Sequence, residues 1–165
     1  MTYEIRLITA DQTRPLRHKV LRPHQRPEEL VYPGDHEPMS LHVGCFVGGD
    51  LAGIASAVRR PMPGEPAEPA ERAWQLRGMA VLPEFRRSGL GSAMVRVCIS
   101  HVAGHGGAML WCNARTPAAR FYRNLGFDTK GEEFQVPVSG PHFVMWRGIS
   151  PGDRSCGAAD TKSLS

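Results

Sequence analysis

Polar and apolar residues alternate from Tyr3 to Leu7, with Tyr3, Ile5 and Leu7 on one side and Glu4 and Arg6 on the other. That period of two predicts a half-buried strand. The spacing then lengthens: Leu16, Val20 and Leu21 recur at helical intervals inside the basic stretch Arg14–Arg22. A short amphipathic helix follows from it, with Asp11 as N-cap and an end before Pro23. Residues 23–38, rich in Pro, Glu and His, read as a loop or a broken helix. The apolar runs Leu41–Val47 and Leu51–Val58 predict a hairpin, because Gly48-Gly49-Asp50 between them tolerates the positive φ of a tight turn.

Residues 60–72 carry four prolines and little to bury, so they read as a flexible excursion between strands. Trp74–Val81 is the next predicted strand. Leu90, Met94, Val97 and Cys98 then fall on one face of a helix over Gly89–Val102, and Gly104, Gly106 and Gly107 end it. Ala108–Asn113 predicts a short buried strand. Thr116 is the expected cap of a further helix, with Pro117 at its first position and Gly126 after its end. Phe127–Val138 and His142–Arg147 complete the pattern as two strands. The order predicts an α/β fold, a mixed central β-sheet flanked by helices in a single domain over residues 1–149. Residues 150–165, rich in Gly, Ser, Asp and Ala, read as a disordered tail.

Composition narrows the function classes. The chain has 165 residues, 41% of them hydrophobic, which suits one globular core. Its apolar runs fall far short of the roughly 20 residues of a membrane helix, and no leader pattern opens it. Cys45, Cys98, Cys112 and Cys156 are scattered without CxxC spacing, which points to reduced thiols and a cytoplasmic location. The net charge of +4 allows an anionic partner. Nucleic acid would need the basic helix, with Arg14, Arg17 and Arg22, to act as a binding face. No aromatic platform accompanies it, so a solvated face is the expectation. Cys98, His101 and His105 have a spacing that metal ligands can take, but the glutamate of HExxH is missing and the helix is ending there. No metal is expected.

The most informative segment is Met79-Ala80-Val81-Leu82-Pro83-Glu84-Phe85-Arg86-Arg87-Ser88-Gly89-Leu90-Gly91. A strand runs into a turn and a glycine-marked helix start. The first amides of a helix lack internal partners and carry partial positive charge. Gly89 and Gly91 have no side chain to hold a phosphate away from them, and Arg86 and Arg87 add charge suited to phosphate. A P-loop would need GK[ST] after its second glycine, whereas Ser92-Ala93 follows Gly91. A dinucleotide fingerprint would need a third glycine at Met94.

The pattern R-x-x-G-x-G, met by Arg86, Gly89 and Gly91, resembles the pyrophosphate-binding turn of the GNAT acetyltransferases. A second block, A-x-x-F-Y-x-x-x-G-F, is met by Ala118, Phe121, Tyr122, Gly126 and Phe127. Both lie in the family's order, and the resemblance covers about residues 73–130. It implies the GNAT fold, acetyl-CoA as co-substrate, and acyl transfer to a primary amine of a small molecule or protein by direct attack in a ternary complex. Many such enzymes are dimers, which makes a homodimer an expectation that no segment here locates.

The resemblance also implies roles. Met79, Ala80 and Val81 would offer backbone to the pantetheine arm, the Met79 amide facing the thioester carbonyl as an oxyanion donor. Arg86, Arg87, Ser88, Gly89, Leu90 and Gly91 would hold the pyrophosphate. Tyr122 would protonate the departing thiolate. The asparagine that many relatives carry seven residues before the tyrosine is Arg115 here, and Asn113 is the nearby substitute against the pantetheine. A glutamate general base in some relatives corresponds to Gln75, which cannot take a proton. His42, Glu37 and His142 are the candidates left, beside a water relay. The missing base also motivates the alternative of an acetyl-CoA-binding sensor without transferase activity.

Overall fold

In the computed structural model, which describes residues 2–65 and 72–156, β1 (Tyr3–Leu7) forms where the alternation predicts a strand and buries Ile5, but Leu7 at its end is exposed rather than buried. Helix α1 (Ala10–Leu16) begins earlier than expected. Thr9, rather than Asp11, is its N-cap: the Thr9 hydroxyl accepts from the Gln12 amide at 3.3 Å, and the Gln12 side chain accepts from the Thr9 amide at 2.8 Å. This reciprocal box satisfies two otherwise orphaned donors, which the lone Asp11 could not do. Pro15 lies inside α1, where it removes a ladder donor. The chain then widens into a π-helical turn, Arg17–Leu21, in which the Arg22 amide donates to the Arg17 carbonyl at 2.9 Å.

The hairpin of β2 (Leu41–Val47) and β3 (Asp50–Arg59) forms as expected around Gly48-Gly49. Residues 66–71 of the proline-rich excursion lie outside the described residues. Beyond it come β4 (Ala73–Val81), α2 (Leu90–Gly104) and β5 (Met109–Arg115). Thr116 does not cap the following helix. Thr116–Ala118 form a 3-10 turn, the Thr116 hydroxyl donates to the Glu133 carboxylate at 2.7 Å, and α3 (Ala119–Arg123) starts after the turn. The last strands are β6 (Asp128–Val136) and β7 (Gly140–Gly148).

The sheet runs β1-β2-β3-β4-β5-β7-β6. All neighbours are antiparallel except β4 and β5, which are parallel and joined through α2. A parallel pair requires such a crossover. α2 packs its apolar face (Leu90, Met94, Val97, Cys98) on Trp74, Leu76, Leu110 and Cys112, the main core. α1 covers the opposite face with Leu16 against Ile54 and Ala80. Each large side chain buried there contributes about 1.5–3 kcal/mol. Part of the expected tail has regular structure in the described residues. Pro151–Ser155 form a 3-10 turn tied down by Arg147 to Asp153 at 3.1 Å and by the Ser100 hydroxyl to the Arg154 carbonyl. Residues 157–165 lie outside the described residues. Among the described residues no helix is long and apolar enough to cross a membrane.

Candidate active site

Two irregularities of β4 shape the site. Pairing with β5 covers only Ala73–Met109, Trp74–Leu110 and Gln75–Trp111, so beyond Gln75 the two strands part. On the other side, the register with β3 slips: Ile54 faces Ala80 and Ser56 faces Arg77, leaving Gly78 and Met79 opposite Ala55. This is a bulge, with Gly78 at φ +62°. A Cβ on Gly78 would also stand 3.2 Å from Arg17 Nε, so both backbone angle and space call for glycine. The extra residue inverts the side-chain alternation. Trp74 and Leu76 face α2 before the bulge; Met79 and Val81 do so after it, and Ala80 turns to α1.

At the far end of β4 the chain makes the turn Pro83–Phe85 and enters α2 through Arg87 at φ +63° and Gly89 at φ +85°. Left-handed residues of this kind gather backbone amides into an anion-binding concavity. No side chain caps α2, and a Cβ at Gly89 would meet nothing within 4 Å, so the first-turn amides face open space. The Ser88 hydroxyl braces the turn by donating to the Phe85 carbonyl. Leu90 is buried in the core, so only its amide is on offer. The Arg86 side chain folds back and donates to the Val81 carbonyl at 3.2 Å.

Between these ends lies a cavity of about 710 Å³ lined by Gln75–Val81, Phe85–Arg87, Gly89–Ser92, Cys112–Arg115, Tyr122 and His142, together with Arg22 and Tyr32. Tyr122 is buried, 5.0 Å from Phe121 and 5.5 Å from Phe127 between ring centroids. Burial raises its pKa well above the usual tyrosine value, and Cys112 and Cys98 add to the effect. Burial also pushes the Cys112 thiol up to about 12. Gln75 is 5% exposed and its Oε1 has no hydrogen-bond partner. His142 Nδ1 donates to the Gly140 carbonyl at 2.9 Å, which leaves Nε2 as the accepting nitrogen.

The chain matches the Acetyltransferase (GNAT) family over residues 5–127. It is 36% identical over 144 residues to the uncharacterized N-acetyltransferase YitI of Bacillus subtilis (strain 168), covering 87% of this chain and 95% of that one. The chain belongs to the GNAT acetyltransferase family. It is therefore an N-acetyltransferase. The GNAT fold recurs in Escherichia coli ElaA, with a TM-score of 0.68 and 16% identity over 88% of this chain and 99% of ElaA. It recurs also in an aminoglycoside 6'-N-acetyltransferase complexed with coenzyme A, with a TM-score of 0.65 and 16% identity over 88% and 96%.

Within this GNAT frame, the cavity gathers Met79, Ala80, Val81, Arg86, Arg87, Gly89, Leu90, Gly91, Asn113 and Tyr122 along one channel, with Ser88 in its turn. Of the three candidate bases, only His142 lines the cavity. His42 is held elsewhere: Nε2 donates to the Asp35 carbonyl at 2.8 Å and Nδ1 contacts the Ser56 hydroxyl at 2.6 Å. Glu37 is exposed and outside the lining. The basic stretch is not the solvated face expected of it. Arg17 is 0% exposed and bidentate to Asp35 at 2.7 and 3.0 Å, while Arg14 pairs with Asp11. His101 Nε2 donates to the Met39 carbonyl at 2.8 Å and the ring packs on Trp74, and Cys98 is a core thiol. Arg77 and Tyr32 were missed by sequence reasoning. Arg77 shares the Gln75 face of β4 by simple alternation, a usable signal, whereas Tyr32 comes from a loop with no periodicity.

Proposed function

We propose that the protein transfers an acetyl group from acetyl-CoA to a primary amine by direct attack, with donor and acceptor bound together where β4 and β5 part. The early end of β4–β5 pairing at Gln75 carries this reading, since it leaves the β5-facing edge of Leu76–Val81 without a strand partner inside the cavity. Residues present fit the coenzyme. The exposed strand edge suits an extended amide-bearing arm, and the uncapped start of α2 with its left-handed turn suits a pyrophosphate.

Acetyl-CoA supplies the thioester carbonyl that the amine attacks. The backbone of Met79, Ala80 and Val81, with Asn113 opposite, holds the pantetheine arm. The amides from Ser88 to Gly91, with Arg86 and Arg87, hold the pyrophosphate, and Arg86 leaves the Val81 carbonyl to do so. The Met79 amide donates to the carbonyl oxygen as negative charge grows there. The amine nitrogen bonds the acetyl carbon, the carbon–sulfur bond breaks, and Tyr122 gives its proton to the sulfur. Its raised pKa keeps the phenol protonated until that moment. Gln75 Oε1 accepts an N–H of the amine and aims its lone pair, and His142 Nε2 takes the proton released. The high pKa of Cys112 favours direct attack over an acetylated cysteine.

Calorimetric titration with acetyl-CoA tests the coenzyme site. Binding near micromolar, about −8 kcal/mol, is expected, followed by thiol release with a suitable amine. No heat up to millimolar concentrations at two temperatures would refute it. Tight binding with no turnover of any amine would replace transfer with the sensor role.

A further inference from the structure

Beyond the pyrophosphate turn, the cavity is lined by arginines that form no ion pair with a carboxylate among the described residues. Apart from Arg86 and Arg87 at the pyrophosphate turn, Arg22, Arg77 and Arg115 line the cavity, and its described lining contains no Asp or Glu. Arg22 donates to the Leu21 carbonyl and the Ser139 hydroxyl, and Arg115 reaches only the Leu21 carbonyl at 3.5 Å. Arg77 Nε is buried without a hydrogen-bond partner, its guanidinium 4.3 Å from the Tyr32 ring centre. The contrast with Arg17 is informative. Arg17 stacks on the same ring at 4.0 Å but has Asp35 as a bidentate partner. The fold thus gives one of the two arginines on Tyr32 a bidentate carboxylate and leaves the other, the one that lines the cavity, with no carboxylate bonded to it among the described residues.

A second unpartnered group stands beside it. Gln75, two residues before Arg77 on the same face and about 7 Å away along the strand, presents a buried oxygen that also lacks a partner. Burial, with the guanidiniums of Arg60 and Arg17, pushes the Arg77 pKa below the usual arginine value against the smaller opposing pull of Tyr32 and Asp35, and a bound anion would offset that cost. Leaving a half-buried guanidinium and a buried amide oxygen unpaired is unfavourable by itself. One ligand with an N–H donor and an anion a few ångströms apart completes both.

Resting on the acetyl-transfer reading above, we propose that the acceptor is a small amine that also carries a carboxylate, as an amino acid does. Its carboxylate sits on Arg77, and its amine sits at Gln75. The products are the N-acetylated amino acid and the free coenzyme thiol. Polycationic amines meet Arg22, Arg77 and Arg115 without compensation and are rejected by like-charge repulsion.

The test is thiol release at saturating acetyl-CoA with free amino acids, their primary amides and spermidine. The acids are expected to exceed their amides in kcat/KM by about tenfold or more, the effect of one charge-assisted contact. Arg77→Met should raise KM for the acids by a similar factor and shrink the acid-to-amide ratio toward one, with Arg77→Lys restoring part of it. Acetyl-CoA affinity, measured on the same samples by calorimetry, should not change. The wild-type acid-to-amide ratio decides the matter even if a variant fails to fold. A preference for amides or spermidine overturns the proposal, as does an unchanged ratio in Arg77→Met. If acetyl-CoA binds but no acid reacts or gives heat with the coenzyme-loaded protein, the proposal fails while the coenzyme site stands. If acetyl-CoA does not bind, both fail.

Discussion

Asp35→Asn changes one atom and removes one charge, yet it should weaken the whole fold. Arg17 is 0% exposed; its guanidinium meets Asp35 at 2.7 and 3.0 Å, the Leu30 carbonyl at 3.0 Å and the Ser56 hydroxyl at 3.3 Å. Asp35 in turn accepts from the Tyr32 amide at 2.9 Å. Removing one partner of a buried pair typically costs about 3–5 kcal/mol, because the other charge stays buried without compensation. Asparagine keeps an acceptor for the Tyr32 amide, and the Leu30 and Ser56 contacts remain, so the lower end of about 3 kcal/mol is expected. Against a total stability of about 5–15 kcal/mol this is a large fraction. With a urea slope near 2 kcal/mol/M, the midpoint of chemical unfolding should fall by about 1.5 M. The double change Arg17→Met with Asp35→Leu should recover much of the loss, since it removes both charges of the pair together. A loss below about 1 kcal/mol in Asp35→Asn would refute the view that this pair anchors the π-turn and the loop carrying Tyr32.

The same pair sets a pH dependence. Burial alone would raise the Asp35 pKa, but the Arg17 hydrogen bonds and the Tyr32 amide hold it below the usual carboxylate value. A depressed folded pKa gives stability that is present above the unfolded value of about 3.9 and lost as pH falls through the folded one. Urea unfolding of wild type and Asp35→Asn should therefore differ most near neutral pH and converge in strong acid. Tyr122→Phe should lower kcat by about 10²–10⁴ with acetyl-CoA affinity retained, as followed by thiol release and calorimetry; a kcat within threefold would leave Tyr122 as a packing residue. Gly89→Ala forces a side chain into φ +85° beside the uncapped start of α2. It should cost about 1–2 kcal/mol of local strain and weaken acetyl-CoA binding measurably, whereas unchanged affinity would move the pyrophosphate elsewhere. His142→Asn should lower kcat for thiol release with acetyl-CoA affinity retained, whereas an unchanged kcat would remove His142 as the proton acceptor.

The elements and their order were legible in the chain because their causes are local. Alternation at Tyr3–Leu7, the Gly48-Gly49 turn and the apolar face of α2 each depend on neighbours within a few residues, and each element forms where expected. The two GNAT blocks were legible for the same reason, being short and contiguous. What the tertiary structure alone decided is long-range. Gly78 inside the strand hints at a bulge, but the slip itself is set by register against Ser56 and Ile54, more than twenty residues earlier. That slip inverts which side chains of β4 face the cavity, and the parting from β5 after Gln75 opens it. Arg17 and His42 looked like a surface charge and a candidate base. They became a buried network because Asp35 and Ser56, from two other segments, converge on them. Composition counts charges, but only packing determines which of them find a partner, and here that difference separates Arg17 from Arg77.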